Sequence, residues 1–222
     1  MWYAKPVGGY QKEGTEARTN CTNIFNILKS RGWALNPICA CLGNNNHEGQ
    51  YNPWRWEGDN VLTVAQYQAL TEATEMSHGY GMWGFTPASK YIENAYAQSV
   101  SGYQPNFADR PGWAEDGSAQ TYFMDSGGSG WNIRSEFNNM TFNEFKRSEY
   151  DLYYLTRVFL YCFENPQHPE ESFQDRYNAA CYWYSVFQGV APDPVPPEPD
   201  PPEPPPPTYI DDMRRWKFYL GL

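Results

Sequence analysis

Between Pro192 and Pro207 the sequence reads PDPVPPEPDPPEPPPP. Proline has no N–H to donate and a fixed φ, so this run joins neither a helix nor a sheet. It is predicted to be an extended polyproline II spacer punctuated by acids, about 3.1 Å per residue and roughly 50 Å in all. Any folded core must therefore be built from what precedes it. The segment that follows, TYIDDMRRWKFYLGL, gathers Ile210, Met213, Trp216, Phe218 and Leu220. A piece that short builds no core of its own. The organisation expected is a folded domain over 1–190, a polyproline linker over 191–208 and a docking tail over 209–222.

The body carries helix signals. Cys21, Ile24, Phe25 and Leu28 fall on one face of a helix expected over 17–31, stopped by Gly32. Asn36 and Pro37 have the cap-then-proline form of a helix start, and the stripe Ile38, Cys41 and Leu42 is expected to run out at Gly43. Thr86-Pro87 repeats that start, leading toward Ser101. Thr141 to Glu144 and Ser148 to Asp151 have capping-box spacing. Leu152, Leu155, Val158, Phe159 and Cys162 then form a core face. A last helix from about Pro169 is expected to bury Phe173, Tyr177, Ala180, Cys181 and Tyr184. Strand signals are few: GYGMWGF, residues 79–85, suits a small hairpin or a backbone that a ligand approaches closely. Residues 102–135 read as loop-rich. The fold class is mostly α with one small β-hairpin.

Several functions are disfavoured. Sixteen basic against twenty-six acidic residues give a formal charge of −10, which repels phosphate backbones, so no nucleic-acid partner is expected. No run reaches the roughly 20 apolar residues of a membrane span. The start, MWYAKPVGGY, lacks signal-peptide blocks. The five cysteines lie mostly on apolar helix faces and read as buried thiols. Cys39, Cys41 and His47 match no usual zinc spacing, and no cofactor or metal is expected. Nine Trp, eighteen Tyr and twelve Phe fit either a ring-rich core or a groove that stacks on sugars.

Chemistry is best placed in GNNNHEGQYNPWRW, residues 43–56. One glutamate, Glu48, lies between three asparagines and the rings of Tyr51, Trp54 and Trp56. Indole rings against a carboxyl disfavour its charged form, which suits a general acid near neutral pH. Glycosidic cleavage needs such an acid together with a groove of rings and amides.

These residues also resemble the phage tail lysozyme family, lysozyme-like domains of tail-associated peptidoglycan hydrolases. LGNNNHEGQYNP, Leu42 to Pro53, is similar to its catalytic stretch, and GYGMWGFTPASKY, Gly79 to Tyr91, to its second motif. GWNIRSEFNNMTFNEFKRS, the following LTRVFLYCFENP, and then Arg176, Ala179 and Trp183 continue the likeness in the family's order over about residues 17 to 188. The resemblance implies a lysozyme-like α+β domain with Glu48 as catalytic acid. Tyr80, Gly81, Met82, Trp83, Phe85 and Thr86 would be the hairpin under the saccharide, and Asn52 and Trp54 the neighbouring turn. It further implies a muramidase cutting the β-1,4 bond between N-acetylmuramic acid and N-acetylglucosamine. The enzyme would sit on the virion tail, act on the host wall for genome entry, and dock on tail-tip proteins through residues 209–222. A lysis enzyme and a glycan-binding tail component that does not cut are the alternatives. Gly49 departs from the family's usual serine and Gly84 from its common glutamine, and the stretch 56–78 is longer than usual. Glu57, Asp59, Glu72 and Glu75 are possible second carboxylates. With Glu48 alone, either hydrolysis or lytic transglycosylation stays open.

Overall fold

The computed structural model describes residues 2–3, 15–56, 60–69, 78–92, 116–127 and 130–188. The linker and tail expected over 191–222 lie outside them, as do most of the residues from Thr86-Pro87 toward Ser101. The described part is mostly helical with a minimal β component, consistent with a lysozyme-like domain.

Helix α1, Glu16–Ser30, starts at Thr15, whose hydroxyl accepts from Arg18 N, and buries Cys21, Ile24 and Leu28 as its spacing predicts. The second helix departs from expectation at both ends. It spans Leu35–Glu48 with Ala34 at its N-cap, so Asn36 lies inside it, and it runs straight through Gly43. Every residue from Pro37 to Asn45 is buried, which marks α2 as the central helix, enclosed on all sides. Gly43 is there for packing. A Cβ at this position would lie 2.3 Å from the Arg176 carbonyl oxygen and 2.7 Å from the Ala180 Cβ.

Strands β1, Arg55–Trp56, and β2, Asn60–Val61, pair antiparallel with Arg55 opposite Val61 and Trp56 opposite Asn60. The expected hairpin over 79–85 is present in small form. Tyr80 N donates to Phe85 O at 3.0 Å and Phe85 N to Tyr80 O at 2.9 Å, and Tyr80 also bridges Trp56. Short helices α3, Val64–Ala69, and α4, Ser89–Ile92, flank this corner. Thr86-Pro87 has a cis peptide bond, and the helix that follows begins at Ser89 rather than at the proline.

Part of the region read as loop is a helix, α5, Asp116–Asp125, buried along most of its length. Its polar residues bury by pairing with groups on other elements, which hydrophobic periodicity cannot register. Helix α6, Phe142–Lys146, has the predicted capping box at Thr141 and Glu144. Helix α7, Leu152–Phe159, is capped by Asp151, three residues later than the expected Ser148 start; Ser148 Oγ accepts from Tyr150 N instead. Leu160–Glu164 continues α7 as a π-helical turn, in which Asn165 N reaches Leu160 O at 2.8 Å. The last helix, α8, Pro169–Gln188, buries Phe173, Arg176, Tyr177, Ala180 and Trp183, while Cys181 and Tyr184 are only half-buried. Its contact with α2 is the most extensive between helices in the described residues.

The rings are mainly core. Trp33, Trp54, Trp83 and Trp183 are each at most 2% exposed, so most of the described tryptophans fill space rather than line an open surface. All five cysteines are free thiols, four of them buried. No described helix is long and apolar enough to cross a membrane.

Candidate functional site

Glu48 is the last residue of α2, and Asn44, Asn45 and Glu48 address different neighbours from that final turn. Asn45 Oδ1 accepts from Tyr51 N at 2.9 Å, and Asn20 Nδ2 donates to Tyr51 O at 2.8 Å. Trp183 Nε1 donates to the Tyr51 hydroxyl at 2.8 Å. These bonds hold a turn in which Gln50 and Tyr51 both have positive φ, +50° and +59°. Two such residues in succession persist only where surrounding contacts fix them. Asn52 Oδ1 then accepts from Trp54 N at 2.9 Å, an Asx turn that starts the chain into β1.

Helix α5 locks the hairpin to that turn. Gln120 Oε1 accepts from Met82 N at 3.0 Å, while its Nε2 donates to Pro53 O at 2.6 Å. The Asp116 carboxylate accepts from the Tyr80 hydroxyl at 2.6 Å and from Tyr91 at 2.7 Å. Gly81 N donates to Arg55 O at 2.8 Å. The result is a cleft of about 250 Å³ lined by Glu48, Arg55, Trp56, Gly79, Tyr80, Gly81, Gly84 and Thr86. Hairpin and helix end, 31 residues apart in sequence at Glu48 and Gly79, thus form one cavity.

The structure divides the residues named from sequence into two groups. Glu48, Tyr80, Gly81 and Thr86 line the cleft. Asn52, Trp54, Met82, Trp83 and Phe85 are buried, none more than 3% exposed, and support the cleft from behind. Trp56 lines it in place of Trp54. The four possible second carboxylates, Glu57, Asp59, Glu72 and Glu75, lie outside the described residues.

The ring cage expected around Glu48 gives way to a charge. Arg176, 1% exposed, donates from Nη2 to Glu48 Oε1 at 2.5 Å. The rest of its guanidinium is also committed. Nη2 lies 3.1 Å from His47 Nδ1, Nη1 donates to Asn44 O and Oδ1, and Nε to Ser172 Oγ. Burial lowers the His47 pKa and Arg176 lowers it further, against the opposing pull of Glu48 and Asp175. The ring is accordingly neutral at pH 7, with Nδ1 free to accept. Arg176 was missed as a site residue although its position carries a signal. It lies three residues after Phe173 and four before Ala180, on the apolar stripe of α8, where an arginine requires a buried partner.

With Oε1 held by Arg176, Oε2 is the oxygen that faces the hairpin. A Cβ on Gly84 would lie 3.4 Å from it, so the missing side chain leaves open space beside the acid. Gly49 has a different cause. A Cβ there would lie 2.2 Å from both the Cα and the carbonyl oxygen of Met82. The hairpin backbone occupies the place a serine side chain would need.

Two comparisons bear on this arrangement. The profile of the family described as phage tail lysozyme matches residues 19–187. The chain is similar to morphogenesis protein 1 of Bacillus phage B103, 31% identical over 194 residues, 85% of this chain and 44% of that protein. The chain therefore spans less than half the length of that relative. The family match runs from α1 through α8 and takes in both walls of the cleft. On that match, the chain belongs to the phage tail lysozyme family.

Proposed function

We propose that the protein is a muramidase of the phage tail. It would cleave the β-1,4 bond between N-acetylmuramic acid and N-acetylglucosamine of host peptidoglycan, with Glu48 as proton donor. The observation that supports this is the geometry of that carboxyl: Oε1 fixed by a buried arginine, Oε2 opening into a cleft walled by Trp56, Tyr80 and the glycine-rich hairpin. A general acid must be held still against the leaving oxygen. Arg176 supplies the fixing, and Gly84 leaves the approach clear. Trp56 offers a flat apolar face for a sugar ring. The family and the B103 relative support a role in the phage particle, which fits local digestion of the wall during genome entry. The C-terminal tail would then dock the domain on tail-tip proteins.

Purified Gram-positive peptidoglycan digested with wild type and Glu48→Gln, with products read by mass spectrometry, tests the reading. Loss of a proton donor is expected to lower the rate by about 100-fold or more. New reducing ends identify hydrolysis and 1,6-anhydro ends a transglycosylase. Wild type that binds walls and releases nothing would establish the non-cutting alternative.

A further inference from the structure

Arg176 is 1% exposed, and a buried guanidinium needs an acceptor for each of its five N–H groups. The acceptors are present in that number. Nε donates to Ser172 Oγ at 2.9 Å, Nη1 to Asn44 O at 3.3 Å and to Asn44 Oδ1 at 3.2 Å, and Nη2 to Glu48 Oε1 at 2.5 Å. The fifth is His47 Nδ1, 3.1 Å from Nη2. The serine hydroxyl and the two asparagine oxygens do not change with pH. Asn44 is moreover held in place, because its Nδ2 donates to Ala40 O at 2.9 Å and to Thr156 O at 3.2 Å, which leaves Oδ1 for the arginine. The two acceptors that titrate are Glu48 and His47, and they share one nitrogen of the guanidinium.

That contact settles the state of the imidazole. An arginine offers no acceptor and keeps its charge throughout the working pH range. Nη2 therefore donates, His47 Nδ1 accepts, and the ring is the neutral tautomer with its proton on Nε2. A proton added at Nδ1 would remove the acceptor, set N–H against N–H, and place a second positive charge beside an enclosed guanidinium. His47 is exposed to solvent, so protons of the medium reach it. The charged groups that act on its ring are Glu48 on its own helix, Arg176 and Asp175 on α8, and Arg55 on β1. Desolvation first, then Arg176, hold its pKa below the ordinary imidazole value, with Arg55 adding to them and Glu48 and Asp175 opposing. The neutral form thus persists from alkaline pH down to about 6.5 and gives way only below it.

We infer that His47 is a positioning residue for Glu48: its unprotonated Nδ1 completes the set of acceptors around Arg176, and a proton on that nitrogen releases Nη2 and with it the Glu48 carboxyl. This inference rests on the reading of Glu48 as the acid, and it adds a requirement to it. The acid must carry a proton to act, whereas His47 must lack one at Nδ1 for the acid to be held still. Glu48 then sets the alkaline limit of activity and His47 the acid limit. His47 neither touches substrate nor transfers a proton in this scheme. It acts through Arg176, which joins the exposed ring to the cleft carboxyl through a single nitrogen.

The test uses the full chain as wild type, His47→Ala and His47→Asn, with peptidoglycan release measured against pH and the ring followed by side-chain NMR. Alanine leaves one Arg176 N–H without an acceptor. Release by His47→Ala is expected to fall about tenfold or more at neutral pH, in kcat rather than KM, because a small displacement of a catalytic group costs rate of that order. Asparagine can present its Oδ1 close to where Nδ1 stands and takes up no proton in this range. His47→Asn is expected to recover most of the rate lost in His47→Ala and to lose the acid limb of kcat, with the alkaline limb in place. A wild-type profile without an acid limb, or an acid limb unchanged in His47→Asn, overturns the inference, as does His47→Ala with the rate and profile of wild type. The NMR decides independently of turnover. The neutral ring is expected to carry its proton on Nε2, and the Arg176 N–H resonances to shift together with the titration of the ring. A neutral ring protonated on Nδ1, or Arg176 signals that ignore the titration, overturns the inference whether or not the variants fold. Wild type that releases no fragments counts against the muramidase reading alone, with the ring titration still deciding the hold of His47 on Arg176.

Discussion

Gly43→Ala separates a glycine kept for packing from one that merely weakens a helix. In an exposed helix interior the substitution gains about 1 kcal/mol, because alanine loses less backbone freedom on folding. At Gly43 the new methyl would lie 2.3 Å from the Arg176 carbonyl oxygen, 2.7 Å from the Ala180 Cβ and 2.9 Å from the Ala180 N. Two of those three atoms belong to the backbone of α8, so no rotamer change relieves them. The helices must separate, and their contact is the largest between helices in the described residues. Overpacking of this kind costs about 1–3 kcal/mol, and a rigid obstacle favours the upper part of that range. After the propensity gain, a net loss of about 1–2 kcal/mol remains. In a domain of this size that lowers the melting temperature by roughly 2–8 °C. The same separation moves Arg176 away from Asn44 and Glu48, so activity on peptidoglycan should fall more than stability alone explains. Urea and thermal unfolding with a parallel release assay measure both. A variant as stable as wild type, or more stable, would refute the claim that the α2–α8 approach requires glycine.

The acid dependence of stability follows from Asp125. Burial pushes its carboxyl up, but hydrogen bonds from Trp33 and Arg31 and the Lys146 charge outweigh that and hold it below the usual carboxylate range. The unfolded chain thus takes up this proton first. The contribution is complete above about pH 4 and is lost as pH falls toward the folded-state value. Asp125→Asn should cost about 1.5–3 kcal/mol at pH 7 and flatten the acid decline in urea titrations between pH 2 and 5; an unchanged decline would assign it to other carboxyls. Gly49→Ser, which puts the family's usual residue in place, should destabilise by about 1–3 kcal/mol, because the Met82 backbone already fills the space. Chemical unfolding checks it, and a neutral result would mean the hairpin can withdraw.

The hairpin and α2 show how far local chemistry reaches. Alternation of glycine with bulky residues over 79–85 was enough to expect a tight reversal, and Tyr80 and Phe85 do pair. Nothing local indicated that Met82, Trp83 and Phe85 would turn inward while Trp56 and Thr86 faced the cleft. That choice depends on α5, whose Gln120 and Asp116 grip the hairpin from beneath. The segment containing α5 reads as a loop because its buried residues mix Asp116, Gln120, Thr121 and Asp125 with Ala119, Phe123 and Met124, and polar burial becomes favourable only when partners are supplied. Gly43 read as a stop for a similar reason. A glycine that ends a helix and one that admits a neighbouring helix are the same letter.

By itself the sequence determined the helical periodicity of α1, α7 and α8, the capping box at Thr141, and the isolation of one glutamate between asparagines and a turn. Each is set by residues within a few positions of one another, where spacing is the physics. Only the tertiary structure decided what surrounds Glu48. Arg176 arrives from 128 residues away and Gly84 from the hairpin. Charge pairing and desolvation act through space, so the electrostatics of the site came into being only when α2, α8 and the hairpin had packed together.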